Sequence, residues 1–477
     1  MAITRRDFLR NSACAAGGMA LASSMDTFSV IHALTPQAAT DYRALVCVFL
    51  NGGNDGNNML VSLDQYDGPA GSLVEGYANV RNAGTPPAGL AIAKASLLPI
   101  SPVSGGSYGF HPNMPEMQAL FNQGKLAMLC NSGPLVEPLT RTTYQNGSGK
   151  KPLQLFSHSD QVGLFQTAIA NTVSQTGWGG RLADKTNGLN GPATFPSNIS
   201  IAGINLLLSG IDTRQLAVAD SGTSLANVLQ LSMAGSASET ASRLASFNEL
   251  RTLDNNFKLV KAASDIRSSS IQTDNALSSV NPTLATVFPN TSLGRQLKQV
   301  ALLIKACTDP LVGINMKRQI FFTQIGGFDT HSAEIGGQVN LLTQVSQAIN
   351  AFFAATVELG VQNKVTTFTM SDFGRTFQPA GTGVNAVGTD HAWGNHQLIA
   401  GGSVLGGTFY GTYPTLRLGG PDDTDGGSTP RGRWIPTTSV EQYAATLANW
   451  YGLSSADLPA VFPLIGRFAT SNLGFLT

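Results

Sequence analysis

Charge is scarce in this chain of 477 residues: 12% are Asp, Glu, Lys or Arg, with 29 basic against 29 acidic. So weak and balanced a charge excludes a nucleic-acid binder steered by a basic surface, a charged coiled coil and a disordered acidic chain. Cysteine is scarcer still. Cys14, Cys47, Cys130 and Cys307 lie far apart and form no CxxC pair, so neither a disulfide scaffold nor a zinc knuckle is indicated. No internal apolar run reaches about 18 residues, which argues against an integral span in the mature chain. The GxSxG, P-loop and GxGxxG patterns are missing, and with them go the commonest hydrolase, NTPase and dinucleotide-binding readings.

What the chain does have is a hydrophobic share of 42%, ordinary for a globular protein, together with 52 glycines and 23 prolines. Its length suits one large domain. The first residues place Arg5 and Arg6 ahead of Asp7, Phe8 and Leu9, and an alanine- and glycine-rich segment follows. This arrangement resembles a twin-arginine export signal, so the translocase that carries folded proteins is an expected partner and a periplasmic or secreted location is expected. Residues 1–39 are read as signal and cleavage region, with cleavage between Ala33 and Ala39. Residues 40–477 are read as a single domain.

Arg43–Leu50 is a continuous apolar run ending in Asn51-Gly52-Gly53-Asn54-Asp55-Gly56, the pattern of a buried strand and a tight turn. Further strands are expected at 125–131, 318–323 and 364–370. Helices are expected at 115–123, 160–170, 293–307, 335–359 and 440–451. Residues 205–300, rich in Ser, Asn, Ala and Leu, read as a mainly helical insertion or cap. Strands alternating with helices predict an α/β fold: a mostly parallel central sheet with helices on both faces.

Histidine carries the strongest chemical signal. There are six, and His111, His158, His331, His391 and His396 sit in loops at element boundaries beside glycines and aspartates. A core histidine would more often interrupt an apolar run. Asp329 and His331 follow one strand, and Asp372 and Arg375 follow another. Asp390, His391 and His396 share a polar loop, although a helical 392–396 would align the two histidines poorly. Carboxylates with imidazoles at strand ends suit a divalent metal. Turn-forming and helix-capping roles for the same Asp and Asn residues are the competing reading. Ser157 and Ser159 flank His158 at a helix start, where either could be a nucleophile or a cap.

The ordered motifs TRRDFLR, FLNGGNDGNN, GFHPNM, LFSHSDQ, TGWGGRLAD, GGFDTH, TMSDFGRTF and GTDHAWGNH resemble those of the DUF1501 family, exported bacterial proteins akin to the alkaline phosphatase and sulfatase superfamily. The resemblance implies an alkaline phosphatase-like fold and one or two divalent ions, zinc, manganese or calcium. It places metal ligands at Asp55, Asp329, His331, Asp372 and at His391 or His396. It places the nucleophile near Ser157–Ser159, with His158 assisting and Arg375 holding a substrate oxygen. Phe373 stands where the superfamily has a histidine, and no Cys-x-Pro-x-Arg occurs, which disfavours formylglycine chemistry. The implied activity is hydrolysis or transfer of a phosphate or sulfate ester on a small molecule or envelope component. The alternative is a catalytically silent envelope protein that keeps the fold.

Overall fold

The computed structural model describes residues 38–82, 89–193, 195–229, 236–250, 253, 256–278, 280–381 and 386–477. Of the signal and cleavage region read from residues 1–39, residues 1–37 lie outside the described residues, Cys14 and His32 among them. In chain order the strands are β1 Arg43–Leu50, β2 Leu60–Ser62, β3 Leu98–Ile100, β4 Tyr108–Phe110, β5 Leu126–Gly133 and β6 Asn198–Ser200. They continue with β7 Gln215–Ala217, β8 Arg318–Ile325, β9 Val365–Ser371, β10 Asn395–Gly401, β11 Phe409–Gly411 and β12 Thr438–Ser439.

Nine strands form one sheet in the order β11-β5-β10-β9-β1-β8-β6-β7, with β12 also paired to β5. Every pairing is parallel except those of β10, which runs antiparallel to both β5 and β9. A small antiparallel sheet, β2-β4-β3, stands apart.

β1 shows why the centre of the sheet is continuously apolar. Ala44, Val46, Val48 and Leu50 feed one core; Leu45, Cys47 and Phe49 feed the other, because alternate side chains of a strand face opposite ways. Helices Pro115–Asn122, Ser292–Thr308 and Glu334–Glu358 cover the first face. Helices His158–Thr167, Trp178–Thr186 and Val440–Tyr451 cover the second. This is the expected mixed α/β architecture with helices on both faces.

The 205–300 region differs from a plain helical insertion. It opens with β7, which extends the central sheet, and closes with Ser292–Thr308, a core helix. The intervening helices are Ala237–Leu250 and Lys258–Ser278. Among the described helices none is long and apolar enough to cross a membrane.

Candidate metal centre

The carboxyl ends of β1, β8 and β9 lie side by side, the edge at which open α/β sheets gather functional loops. β8 runs into Gly326–His331, and β9 into Asp372. Because β10 is reversed, the segment before it, Thr389 to Gly394, reaches the same edge. The helix His158–Thr167 begins there too, so four distant stretches meet.

His158, Asp329 and His391 offer ligand atoms that all lie within 4.8 Å of one another. His158 Nε2 is 3.0 Å from His391 Nε2 and 3.3 Å from Asp329 Oδ1, and His391 Nε2 is 3.6 Å from that oxygen. Donors around a tetrahedral zinc sit about 3.3 Å apart when each is about 2.0 Å from the ion. His331 flanks the trio: its Nε2 is 2.9 Å from His391 Nε2 and 3.1 Å from Asp329 Oδ1.

The opposite nitrogens fix the tautomers. His158 Nδ1 faces Asp372 Oδ2 at 2.8 Å, His331 Nδ1 faces Asp390 Oδ1 at 3.2 Å, and His391 Nδ1 faces the Phe156 carbonyl at 2.7 Å. A carboxylate or carbonyl only accepts, so each Nδ1 donates, and Nε2 is the ring atom that can offer a lone pair. Burial lowers the His391 pKa and keeps that ring neutral, against the raising effect of the Phe156 carbonyl. Lone pairs converge with a carboxylate oxygen, an arrangement a cation satisfies. The donor set thus fits a divalent ion, and the ring partners are those that orient metal-bound histidines. The Phe156 carbonyl is aimed by a backbone at φ 71, an unusual conformation for an aromatic residue and one that concentrates at functional sites. The fully buried Phe373 packs its ring 4.6 Å from His158 and 4.8 Å from His391, centroid to centroid.

Arg375, expected to hold a substrate oxygen, is turned to the protein itself. Its side chain is fully buried, and its donors go to the carbonyls of Gly52, Gly53, Phe328 and Thr389 and to Asp329 Oδ1. One guanidinium therefore ties together the loops after β1 and β8 and the loop before β10. Burial works to raise the Asp329 pKa, but the Arg375 hydrogen bond and charge outweigh it and hold it below the ordinary carboxylate range. Asp372 is likewise an orienting group, accepting from His158 and, at 3.0 Å, from the Gly52 amide. Gly52, at φ 115, allows this approach; a Cβ there would stand 2.4 Å from the Asp329 nitrogen.

Two expected ligands are placed elsewhere. Asp55 is sealed in the interior, its two oxygens 2.6 and 3.0 Å from Arg81 Nη1 and Nη2. Glu334 lies 3.8 Å from the same guanidinium and accepts from Thr389 at 2.6 Å. Burial and the Asp55 charge hold the Glu334 carboxyl well above its ordinary range. His396 lies within β10, stacked on Tyr413, its Nδ1 accepting from the Asn131 amide at 3.1 Å. Burial lowers its pKa to about 4, and does the same for His111, whose Nδ1 accepts from Asn113 in a turn. The two serines flank the centre without bonding a histidine. Ser157 Oγ donates to Asp160 at 2.6 Å and lies 3.3 Å from Ser159 Oγ. His158 faces Asp372 and His391 and makes no hydrogen bond to either serine.

Arg81, Asp160 and the Phe156 carbonyl escaped sequence reasoning. Arg81 sits in an unremarkable YANVRN helix and carried no signal. Arg431 and Arg433, in the run Pro430-Arg431-Gly432-Arg433, could have been singled out as paired cations near a glycine.

Three solved structures give the scale of likeness. A sulfatase from Pseudoalteromonas sp., PsFucS1, matches 79% of this chain at 9% identity and a TM-score of 0.29; this chain spans 65% of its length. Ps i-CgsB, in complex with neocarrahexaose, matches 88% of this chain and 74% of its own at 11% identity and a TM-score of 0.32. A TAB5 alkaline phosphatase variant with bound magnesium matches 76% of this chain and 91% of its own at 9% identity and a TM-score of 0.23. No curated protein sequence matches. The family described as proteins of unknown function DUF1501 matches residues 42–421, which include every residue of the histidine centre, and the chain belongs to that family.

Proposed function

We propose that this is an exported, metal-dependent hydrolase or transferase acting on a phosphate or sulfate ester, in the periplasm or outside the cell. The supporting observation is the convergence of the His158 and His391 lone pairs on Asp329 Oδ1, each ring oriented from behind by an acceptor. Imidazoles with one carboxylate suit zinc or manganese better than calcium, which prefers oxygen donors. A divalent ion held there would supply a Lewis acid that neutralises charge on the transferred group and activates a nucleophile. Three protein donors leave a coordination position open, as catalytic sites require, with His331 at the flank. Ser157 is the candidate nucleophile, and Asp160 is the base within reach of its hydroxyl.

A second reading, an envelope protein that binds without catalysis, draws support from Arg375, whose guanidinium is spent on the protein itself. Metal analysis of the purified, folded, exported protein separates the two. We expect one stoichiometric divalent ion, lost in His391→Ala and His158→Ala without unfolding, and hydrolysis of p-nitrophenyl phosphate or sulfate that Ser157→Ala abolishes while the metal stays. A folded wild type that takes up neither zinc nor manganese would overturn the hydrolase reading.

A further inference from the structure

A cleft of 730 Å³ opens beside the centre. Gln378, Asp390, Asp425, Thr429, Arg431 and Arg433 supply its polar lining, and the remaining lining residues are small or proline. Among the described lining residues no side chain is aromatic or a large aliphatic, so they offer no apolar surface on which to bury an acyl chain. The cleft and the centre share a residue: Asp390 turns Oδ1 toward His331 and Oδ2 toward the Arg431 guanidinium.

The walls are fixed before any ligand arrives. Buried Asp423 accepts four backbone amides, from Gly419 at 2.9 Å, Gly432 at 3.0 Å, Asp425 at 3.0 Å and Arg433 at 3.1 Å. The two walls are pinned to each other where the Gln378 amide donates to the Arg431 carbonyl at 3.0 Å. Arg433 lies over the Phe156 ring at 4.7 Å, and its Nε donates to the His391 carbonyl at 3.2 Å. Both arginine side chains stay partly exposed, Arg431 at 29% and Arg433 at 26%, and each is paired within the lining, Arg431 with Asp390 and Arg433 Nη1 with Asp425 Oδ1 at 3.3 Å.

Guanidiniums donate to anionic oxygens. Carboxylates, an amide and a hydroxyl together accept from and donate to hydroxyl groups. Two cations against two carboxylates leave the lining without net charge, so the set suits the hydroxyl groups of a ligand whose anionic group sits at the adjoining centre. Building on the metal-centre reading above, we infer that this cleft holds the body of the substrate, and that the body is sugar-like, an ester on a polyol rather than on an acyl chain or an aromatic ring. Asp425, Thr429, Arg431 and Arg433 lie beyond residue 421, outside the family match, so this inference comes from the cleft itself.

Calorimetric titration of the purified protein with glucose 6-phosphate, orthophosphate and octyl phosphate tests this, with metal content measured on the same sample. We expect glucose 6-phosphate to bind about ten-fold more tightly than either of the others, because a site built for hydroxyls rejects ligands that lack them. The Gln378→Ala/Thr429→Val double variant, which touches no histidine of the centre, should reduce that preference to about three-fold or less while retaining the metal. Equal affinities, tighter binding of octyl phosphate, or a preference unchanged in the double variant would overturn the inference. A metal-free wild type would instead refute the metal reading, since the sugar preference is read separately.

Discussion

Asp372→Asn offers the sharpest test of the centre, because it changes one atom behind a ligand. The Asp372 carboxylate is 1% exposed and serves two fixed donors, His158 Nδ1 at 2.8 Å and the Gly52 amide at 3.0 Å. Asparagine has the same shape but only one acceptor oxygen. If that oxygen stays with Gly52, the amide N–H faces His158 Nδ1, and the ring proton must move to Nε2, pointing into the centre. If the oxygen turns to His158, the amide meets the Gly52 N–H, donor against donor, at a buried cost of about 1–3 kcal/mol. Either way His158 is a poorer ligand. Groups that orient a metal-bound histidine are worth about 10–100-fold in metal affinity, or about 1.4–2.7 kcal/mol. Competition with a chromophoric chelator, for wild type and Asp372→Asn, measures the zinc dissociation constant directly, and urea titration of both without metal shows that the fold persists. An affinity within about two-fold of wild type would mean that Asp372 does not orient a ligand, and that His158 is not one.

Other changes probe the surroundings. Arg81→Met removes the partner of a fully buried carboxylate and should cost about 3–5 kcal/mol in urea unfolding, with Asp55→Asn in the same chain restoring part of it; a loss under about 1 kcal/mol would show that the pair is not desolvated as described. Arg375→Lys keeps the charge but loses the planar fork, so metal affinity and stability should fall together, whereas an unchanged affinity would contradict its role in positioning Asp329. His396 has a folded pKa of about 4, below its unfolded value, so its contribution is present above about pH 6.5 and is lost as pH falls toward 4. The stability difference between wild type and His396→Phe should therefore shift by about 2 kcal/mol from pH 7 to pH 5, against wild type. A difference independent of pH would mean the ring is not held neutral.

The long elements were legible because their apolar patterns are continuous. β1 and Val440–Tyr451 lie where the runs place them, and β8 and β9 differ only at their ends. β6 and β7, three residues each, are too short to leave a pattern, and β10 reads NHQLIAG, its first half polar. Loop position was enough to bring His158, Asp329, His331 and His391 forward as candidates, and the structure brings these four together. It could not separate them from His396 or Asp55, because what distinguishes them is the partner. Asp55 meets Arg81 from a neighbouring segment, and His396 meets Asn131 across 265 residues of chain. Arg375 was read as a clamp on an anionic oxygen, whereas its N–H groups here end on the protein's own carbonyls and Asp329, which a sequence does not show.

That arginine also sets an order on how the centre can come into being. Its guanidinium binds the Gly52 carbonyl, 323 residues earlier in the chain. During synthesis the loop after β1 emerges early and waits, untied, until β9 and the loop after it, which carries Arg375, have left the ribosome and found their place. A chain cut short of residue 375 can contain His158, Asp329 and His331 and still have nothing to hold Asp329 against them. The centre can therefore assemble only after the chain has been made as far as His391.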